Sequence, residues 1–477
     1  MLDGWLAGII VLFFHVVVAP FAILHALLYK RDYRSALGWI GISLLFPVAG
    51  PLLYFYLGVN RLRRRARKLT GTDVAGHGTF RFEDSRTFPL ADSLPENFAH
   101  PLARAGWHTT ASRLIEGNAV ELLINGDAFY PRLLQAIESA KQRAWISSYI
   151  FSGTGIGGEI ADALIAAARR GVDARVIVDG IGTLYSFRSL ERKLRDTAVK
   201  FAEFFPPRLL PPSLHWNLRN HRKIAVIDAE IGFFGGLNID DRHFIATPRI
   251  ESPHEDIHFV ARGPATAALA QVFANDWESV TGEALDAGPA APASGSVAMR
   301  VIEEGPDESM DRLSMTLLGV ISGARREIRV MTPYFLPHRE LVGAFQAAAV
   351  RGVRVDVLLP ERSNLPYVDW ASRHQLWELL KWGVHIRLKP APFAHSKLLT
   401  VDSDYVLGGS ANLDPRSLRL NFEVGVEMFD ETLARQAREY FDACWQRSRI
   451  ITLMDVDSRS LPARIRDGFF WLFSAYL

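Results

Sequence analysis

The sequence predicts an α/β protein of two pseudo-symmetric halves that share one site, preceded by an N-terminal hairpin of two apolar helices. Three observations predict it. The stretch His221-Arg222-Lys223-Ile224-Ala225-Val226-Ile227-Asp228 returns as His395-Ser396-Lys397-Leu398-Leu399-Thr400-Val401-Asp402, with His, Lys and Asp in one register and a Gly-Gly turn and an Asn after each copy (Gly235, Gly236, Asn238; Gly408, Gly409, Asn412). Strand-like and helix-like runs alternate in the same order in both halves. Two long apolar runs occupy residues 1–60.

At 477 residues the chain is long enough for two or more domains with cores of their own. Its net charge of +2 lacks the strong basic excess of a nucleic-acid binder. The one cysteine, Cys444, excludes an intrachain disulfide and a thiolate metal cluster. Within Tyr440-Phe441-Asp442-Ala443-Cys444-Trp445 it reads as an inert thiol packed on a helix face.

Residues 4–29 contain no acid or base other than His15 and His25, and a second apolar run covers 36–59. Each approaches the roughly 20 residues that cross a bilayer. Residues 1–60 therefore read as a transmembrane hairpin, with His15 and His25 as interfacial or helix-packing groups. A signal peptide fits poorly, because Met1-Leu2-Asp3 has no positive side chain and the second run follows at once. Pro47, Gly50 and Pro51 interrupt that second run, so a kinked or re-entrant segment competes with a full span. Lys30, Arg31 and Arg34 lie in the loop, against Arg61, Arg63, Arg64, Arg65, Arg67 and Lys68 after the second run. This asymmetry predicts a multi-pass protein of the plasma membrane with its bulk on the cytoplasmic side, and the basic cluster would also attract anionic lipid.

Residues 61–100 form the basic flank and a linker rich in Gly, Pro, Ser and Asp. The first half, 101–285, begins with a strand at 121–126 and a helix at 129–140. It continues with a strand at 144–151, a helix at 159–170 ended by Gly171 and a strand at 174–179. Residues 286–298 have the composition of a flexible linker. The second half, 299–477, repeats the order: a helix at 312–322, a strand at 327–334, a helix at 340–351 ended by Gly352 and a strand at 355–359. The words Ala166-Ala167-Ala168-Arg169-Arg170-Gly171-Val172 and Ala347-Ala348-Ala349-Val350-Arg351-Gly352-Val353 align, so the repeat covers whole half-domains.

Gly153-Thr154-Gly155-Ile156-Gly157-Gly158 contains G-x-G-x-x-G between a strand and a helix, and Asp179 ends the next strand. That is the context of a dinucleotide fingerprint. The corresponding Phe335-Leu336-Pro337-His338-Arg339-Glu340 has no glycine, which favours a glycine-rich loop at the sheet edge.

Residues two apart in a strand share a face, so His221 projects with Lys223 and His395 with Lys397. Asp228 and Asp402 complete the motif and are counted with it as catalytic candidates. Their parity is opposite, however, and both sit where turns begin, so they read as holding the strand ends. Two His and two Lys across a pseudo-twofold axis suit phosphoryl chemistry. The Lys pair binds an anion, one neutral His attacks phosphorus, and the other His, protonated, serves the leaving and accepting oxygens. Asn238, Asn412 and Ser410 are candidate donors to phosphoryl oxygens. The Lys pair supplies the electrostatic stabilisation, so no metal and no cofactor is required. Asp256 and Glu423 are candidate acceptors for the second nitrogens of the histidines, with a solvated surface acid as the alternative for each. His254 and His258 raise a metal site, with no thiolate to complete it.

These paired H-x-K-x-x-x-x-D elements resemble those of the phospholipase D superfamily. Arg219-Asn220-His221-Arg222-Lys223 through Gly235-Gly236-Leu237-Asn238-Ile239, Gly409-Ser410-Ala411-Asn412-Leu413-Asp414-Pro415-Arg416-Ser417 and the N-terminal hairpin are similar to the bacterial-type cardiolipin synthases within it. The resemblance covers nearly the whole chain. It implies two phospholipase D-like α/β halves around one active site, and the joining of two phosphatidylglycerols into cardiolipin and glycerol through a phosphatidyl-histidine. By the same resemblance His221 is the nucleophile and His395 the general acid/base, although the similarity of the halves lets these roles exchange. Lys223, Lys397, Asn238 and Asn412 hold the phosphate, and Asp256 and Glu423 match the acidic partners of the histidines. The partners implied are phosphatidylglycerol and anionic membrane lipid, with no nucleic acid; the oligomeric state is left open.

A hydrolytic phospholipase D, or a transfer to another alcohol, would use the same residues and differ in its treatment of water. A nuclease is disfavoured by the hairpin and the weak net charge, and a dead lipid-binding scaffold by the presence of all four His and Lys. The C-terminal run Phe469-Phe470-Trp471-Leu472-Phe473-Ser474-Ala475-Tyr476-Leu477 is too short to span a bilayer and would dock at its interface or on the protein core.

Overall fold

The structure, a computed structural model, describes residues 2–30, 33–58, 101–110, 112–186, 189–206, 218–307 and 309–474. The basic cluster at 61–68, the linker up to residue 100 and the last three residues lie outside them. The chain divides into two units, Met1–Ala66 and Arg67–Leu477.

In the first unit, helix Leu2–Phe13 continues through a wider turn at Phe14–Val18 into Ala19–Tyr29. Its Val11–Tyr29 portion, 19 residues of mean hydropathy 2.3, is long and apolar enough to cross a membrane. The second apolar run is helical over Tyr33–Leu45, breaks at Phe46, Pro47 and Val48, and resumes at Ala49–Leu53. Proline has no N–H for the helix ladder and its ring crowds the preceding turn, which accounts for the break. The two runs pack on each other: the Tyr54 hydroxyl lies 2.7 Å from His25 Nδ1, and Tyr54 is buried with Ala22 and Ala26. His25 is thus a helix-packing group, and the expected hairpin has a first arm of spanning length and a kinked second one.

The second unit is built on one long mixed sheet. The first half supplies β1 (Ile115–Ile124), β2 (Arg143–Ser148), β3 (Asp173–Asp179), β4 (Lys200–Phe204), β5 (Arg219–Asn220), β6 (Ile224–Ile227), β7 (Ile231–Gly235), β8 (His254–Glu255) and β9 (Ile257–Arg262). The second half supplies β10 (Val297–Glu304), β11 (Glu327–Met331), β12 (Arg354–Pro360), β13 (His385–Lys389), β14 (Phe393–Ala394), β15 (Leu398–Val401), β16 (Tyr405–Gly409), β17 (Asn421–Phe429) and β18 (Arg449–Ile451).

The strand order is β18-β13-β12-β11-β15-β16-β17-β10-β1-β9-β7-β6-β2-β3-β4. Read outward from the β10–β1 seam, the halves mirror one another, with β2-β3-β4 and β11-β12-β13 parallel and the rest antiparallel. Each parallel step crosses over through a helix: Gly155–Arg169 joins β2 to β3, and Arg339–Val350 joins β11 to β12. Both helices end alike. Gly171 and Gly352 take φ of +94° and +87°, and the following Val172 and Val353 N–H groups return to Ala167 and Ala348 carbonyls. Only glycine enters that left-handed conformation without steric cost, which is why the same word closes both helices.

Three apolar clusters fill the layers. One lies on the outer face of each half, and a third contains Phe273 and Trp277 of helix Thr266–Thr281 together with Phe441 and Trp445 of helix Glu431–Gln446. This third cluster draws on both halves and locks their sheets into one body. Residues 286–296 cross between the halves under hydrogen bonds: the Arg143 guanidinium donates to the Asp286 and Ala287 carbonyls, and the Ser294 N–H to the Gly117 carbonyl.

Candidate active site

The two H-x-K segments run extended just ahead of β6 and β15, and each is held by the other half. β5 pairs in parallel with β17, so that the His221 N–H donates to the Phe422 carbonyl at 2.9 Å. β14 pairs in parallel with β8, and the His395 N–H donates to the Glu255 carbonyl at 2.7 Å. Each strand that leads into a motif is thereby placed beside the segment of the opposite half that carries the partner acid, Glu423 within β17 and Asp256 just after β8. The middle residue of each motif points away: Arg222 Nη1 reaches Asp276 at 2.5 Å and Ser396 Oγ lies 3.1 Å from the Tyr440 hydroxyl. His and Lys therefore share the other face, as the two-residue period requires.

The acid partners cross over. His221 Nδ1 lies 3.0 and 3.1 Å from the two oxygens of Glu423, in the second half. His395 Nδ1 lies 2.6 Å from Asp256 Oδ2, in the first. With Nδ1–H donating to its carboxylate, each ring keeps its Nε2 lone pair for chemistry. Asp256 and Glu423 are both fully buried, so neither is a solvated surface acid.

Electrostatics bind the four basic groups together. Burial lowers His221, with Lys223 and Lys397 adding to the fall and Glu423 opposing it. Burial, Lys397, His254 and Lys223 hold His395 well below the ordinary imidazole value. Burial brings Lys223 down to about 7 and Lys397 down to about 8, against the pull of Glu423 and Asp256. Near neutrality this desolvation leaves the Lys223 ammonium poised to lose its proton unless an anion is present. Burial also pushes Glu423 upward, but His221, Lys223 and Ser410 outweigh it and leave the carboxyl below its usual range.

The halves differ in detail. Each Lys Nζ donates to the backbone carbonyl of its own His, but Lys397 Nζ also lies 2.9 and 3.1 Å from Nδ1 and Nε2 of His395. Ser410, predicted as a phosphate donor, gives its hydroxyl to Glu423 Oε2 at 2.5 Å, and Asn421 Nδ2 donates to the other oxygen at 3.0 Å. The counterpart of Ser410 is Gly236, where a Cβ would stand 2.3 Å from Asp256 Oδ1. The shorter carboxylate of the first half thus needs glycine beside it. Asn238 Oδ1 accepts from the Ile150 N–H at 3.2 Å, and Asn412 Oδ1 is buried with no partner among the described residues.

Asp228 and Asp402 stand apart from this cluster. The Asp228 carboxylate accepts the backbone N–H groups of Lys141, Gln142 and Arg143 at 2.9, 2.7 and 2.9 Å. Asp402 accepts those of Arg325, Arg326 and Glu327. Both take left-handed φ, +53° and +54°, which Asp tolerates in a turn. Both carboxylates thus hold the backbone of the loop ahead of β2 and β11.

Other neighbours reach the site from outside the repeated motif. The Tyr149 ring packs edge-on against His221 at 5.1 Å, and His243 and His254 lie 6.4 and 6.2 Å from His395. Asp179 accepts N–H groups from Ile181, Gly182 and Asn220, anchoring the segment that leads to His221. The glycine-rich stretch at 153–158 opens helix Gly155–Arg169, and Asp241 Oδ1 accepts the Ile156 N–H at 3.0 Å. A carboxylate of the chain itself fills the place where a nucleotide phosphate would sit.

The family model described as "Cardiolipin synthase, PLD-like domain" matches residues 133–277 and 317–445, once in each half. A second, "Phospholipase D-nuclease N-terminal", matches 16–58. The chain is 30% identical over 470 residues to the major cardiolipin synthase ClsA of Bacillus subtilis (strain 168), with 94% of this chain and 95% of that protein covered. It is 28% identical over 457 residues to a cardiolipin synthase of Oceanobacillus iheyensis, with 94% and 95% covered. Among solved structures, phosphatidylserine synthase of Haemophilus influenzae Rd KW20 matches at TM-score 0.62 and 15% identity, over 79% of this chain and 100% of that one, a likeness of fold.

Proposed function

We infer the reaction from one premise: the chain belongs to the cardiolipin synthase family with PLD-like domains, and it is a phospholipid phosphatidyltransferase. From that premise we propose a phosphatidyl transfer between two phosphatidylglycerols. The observation that carries it is the crosswise pairing of His221 with Glu423 and His395 with Asp256, with Lys223 and Lys397 beside them.

His221 Nε2 attacks the phosphorus of the first phosphatidylglycerol. The bond from phosphorus to the glycerol headgroup oxygen breaks, and protonated His395 gives its proton to the departing alkoxide. Glycerol leaves and a phosphatidyl-histidine remains. Neutral His395 then takes the proton from a hydroxyl of the second phosphatidylglycerol, whose oxygen attacks phosphorus. The P–N bond breaks, cardiolipin leaves, His221 returns neutral and His395 again carries the proton.

The difference between the two Lys supports this division of roles. Lys397 is in reach of His395 Nε2 and can hand it a proton, while Lys223 leaves the His221 ring free to attack. A phosphodiester anion placed among the four groups offsets the Lys charge that depresses the imidazoles, so substrate binding itself favours a protonated His395. Asn238 and Asn412 are the amides we assign to the phosphoryl oxygens.

The helix Val11–Tyr29 accords with membrane association. We place the two halves at residues 101–285 and 299–477, on the cytoplasmic side of the plasma membrane, from the distribution of basic residues. Product analysis with phosphatidylglycerol as the sole lipid tests the reaction. Cardiolipin and glycerol in equal amounts are expected; phosphatidic acid without cardiolipin would instead identify a hydrolytic phospholipase D.

A further inference from the structure

The C-terminal helix Leu461–Trp471 is attached to the second half by one side only. On that side Asp467 is fully buried and takes Arg459 at 2.5 Å and Arg466 at 2.7 Å. Phe470 and Trp471 pack 5.0 Å from Trp370 and 5.1 Å from His374, both on helix Pro366–Leu380. The opposite side carries Leu461, Ile465, Phe469, Leu472 and Phe473, between 46% and 70% exposed. At 3.6 residues per turn Leu461, Ile465 and Phe469 fall within one arc of about 80°, and Leu472 and Phe473 continue the exposed apolar surface in the turn after the helix. No charged residue lies inside the arc, and a cation bounds each edge: Arg464 on one, and on the other Arg466, 4.4 Å over the Trp370 ring. Trp377 and Trp382, on and just past the neighbouring helix, are also exposed.

An apolar stripe with arginine on both edges and exposed tryptophan beside it fits the headgroup–acyl boundary of a bilayer. We propose that this helix lies in the surface of the membrane that holds the substrate, as a second contact with lipid besides the apolar N-terminal helix. Its eleven residues are too few to span the bilayer, so the contact is peripheral. Charge complementarity selects the occupant. Anionic lipid neutralises the exposed Arg464, while Arg466 is held by Asp467; a symmetric contact between two copies would instead bring the two Arg464 side chains along one seam. The docking does not depend on the reaction, and a chain without activity would dock equally.

The test uses the full chain in vesicles of phosphatidylglycerol and phosphatidylcholine, with Cys444, which is buried, left in place. A polarity-sensitive fluorophore is attached at Ile465→Cys, at Phe469→Cys and, as a control, at Glu138→Cys on an exposed helix face. Spin-labelled lipid should quench the first two and spare the third, and aqueous iodide should quench only the third. Iodide quenching at positions 465 and 469 without lipid quenching overturns the proposal. So does shielding from both quenchers with cross-linking of two copies through Ile465→Cys, which would assign the stripe to a second copy.

Discussion

The carboxylate of Asp256, from the first half of the chain, lies 2.6 Å from Nδ1 of His395, from the second. Glu423 returns the relationship, 3.0 Å from Nδ1 of His221. Neither half holds an oriented histidine by itself, so the site exists only when both halves fold against each other.

This crosswise arrangement predicts which histidine each acid variant disables. Asp256→Asn should mis-set the His395 tautomer and lower kcat by up to about 10⁴-fold, the scale seen when an orienting carboxylate is lost, with KM little changed. Its phosphoenzyme chemistry should remain repairable at His221. Glu423→Gln should instead suppress formation of the covalent intermediate. Rapid-quench measurement of that intermediate in the two variants separates the effects.

Asp228 and Asp402 should behave as structural residues despite belonging to the repeated motif. Each carboxylate satisfies three backbone N–H groups at the start of a central strand. Replacement by Ala should cost roughly 2 kcal/mol of stability per site, the scale of charge-assisted hydrogen bonds. Turnover per folded molecule should stay close to wild type. Denaturant titration alongside active-site counting checks this.

The lysines predict a falling limb in the pH profile. Burial lowers Lys223 to about 7 and Lys397 to about 8 in the free enzyme, and a lysine above its pKa has lost the positive charge that captures an anion. Hence kcat/KM, which reports the free enzyme, should fall as pH rises through these values. In kcat the limb should lie higher, because bound phosphate raises both lysines. Profiles of both parameters across pH about 6–9 test the sign and the displacement.

The two sides of the site should not be interchangeable. Gly236 stands where Ser410 stands in the other half, but a Cβ there meets Asp256 at 2.3 Å. Gly236→Ser should therefore displace Asp256 and reduce kcat about as much as Asp256→Asn. Ser410→Gly, which removes one donor to Glu423 and one acceptor for the Val424 N–H without displacing the carboxylate, should be milder. Steady-state kinetics on both variants decides.

How far the sequence could show this follows from which contacts are local. The register of His, Lys and Asp, and the glycine words that close the crossover helices, are short-range, and they announced a duplicated α/β half. Parity within the strand separated Asp228 and Asp402 from the catalytic face. The crosswise acids were not legible as pairs, because they depend on β5 meeting β17 and β8 meeting β14, contacts between distant parts of the chain. Ser410 was taken for a phosphate donor because its neighbour Glu423 comes from another strand. The glycine-rich decoy failed for a similar reason: the carboxylate that caps its helix, Asp241, lies far along the chain.

The central claim is that one site, made by both halves, works through a covalent bond to His221. Acid-quenching the full-length enzyme during turnover of phosphatidylglycerol and mapping the modified peptide by mass spectrometry tests it most directly. A phosphatidyl adduct on His221 that is absent from His221→Asn is the predicted result. An adduct on His395, or full turnover by His221→Asn, would contradict it.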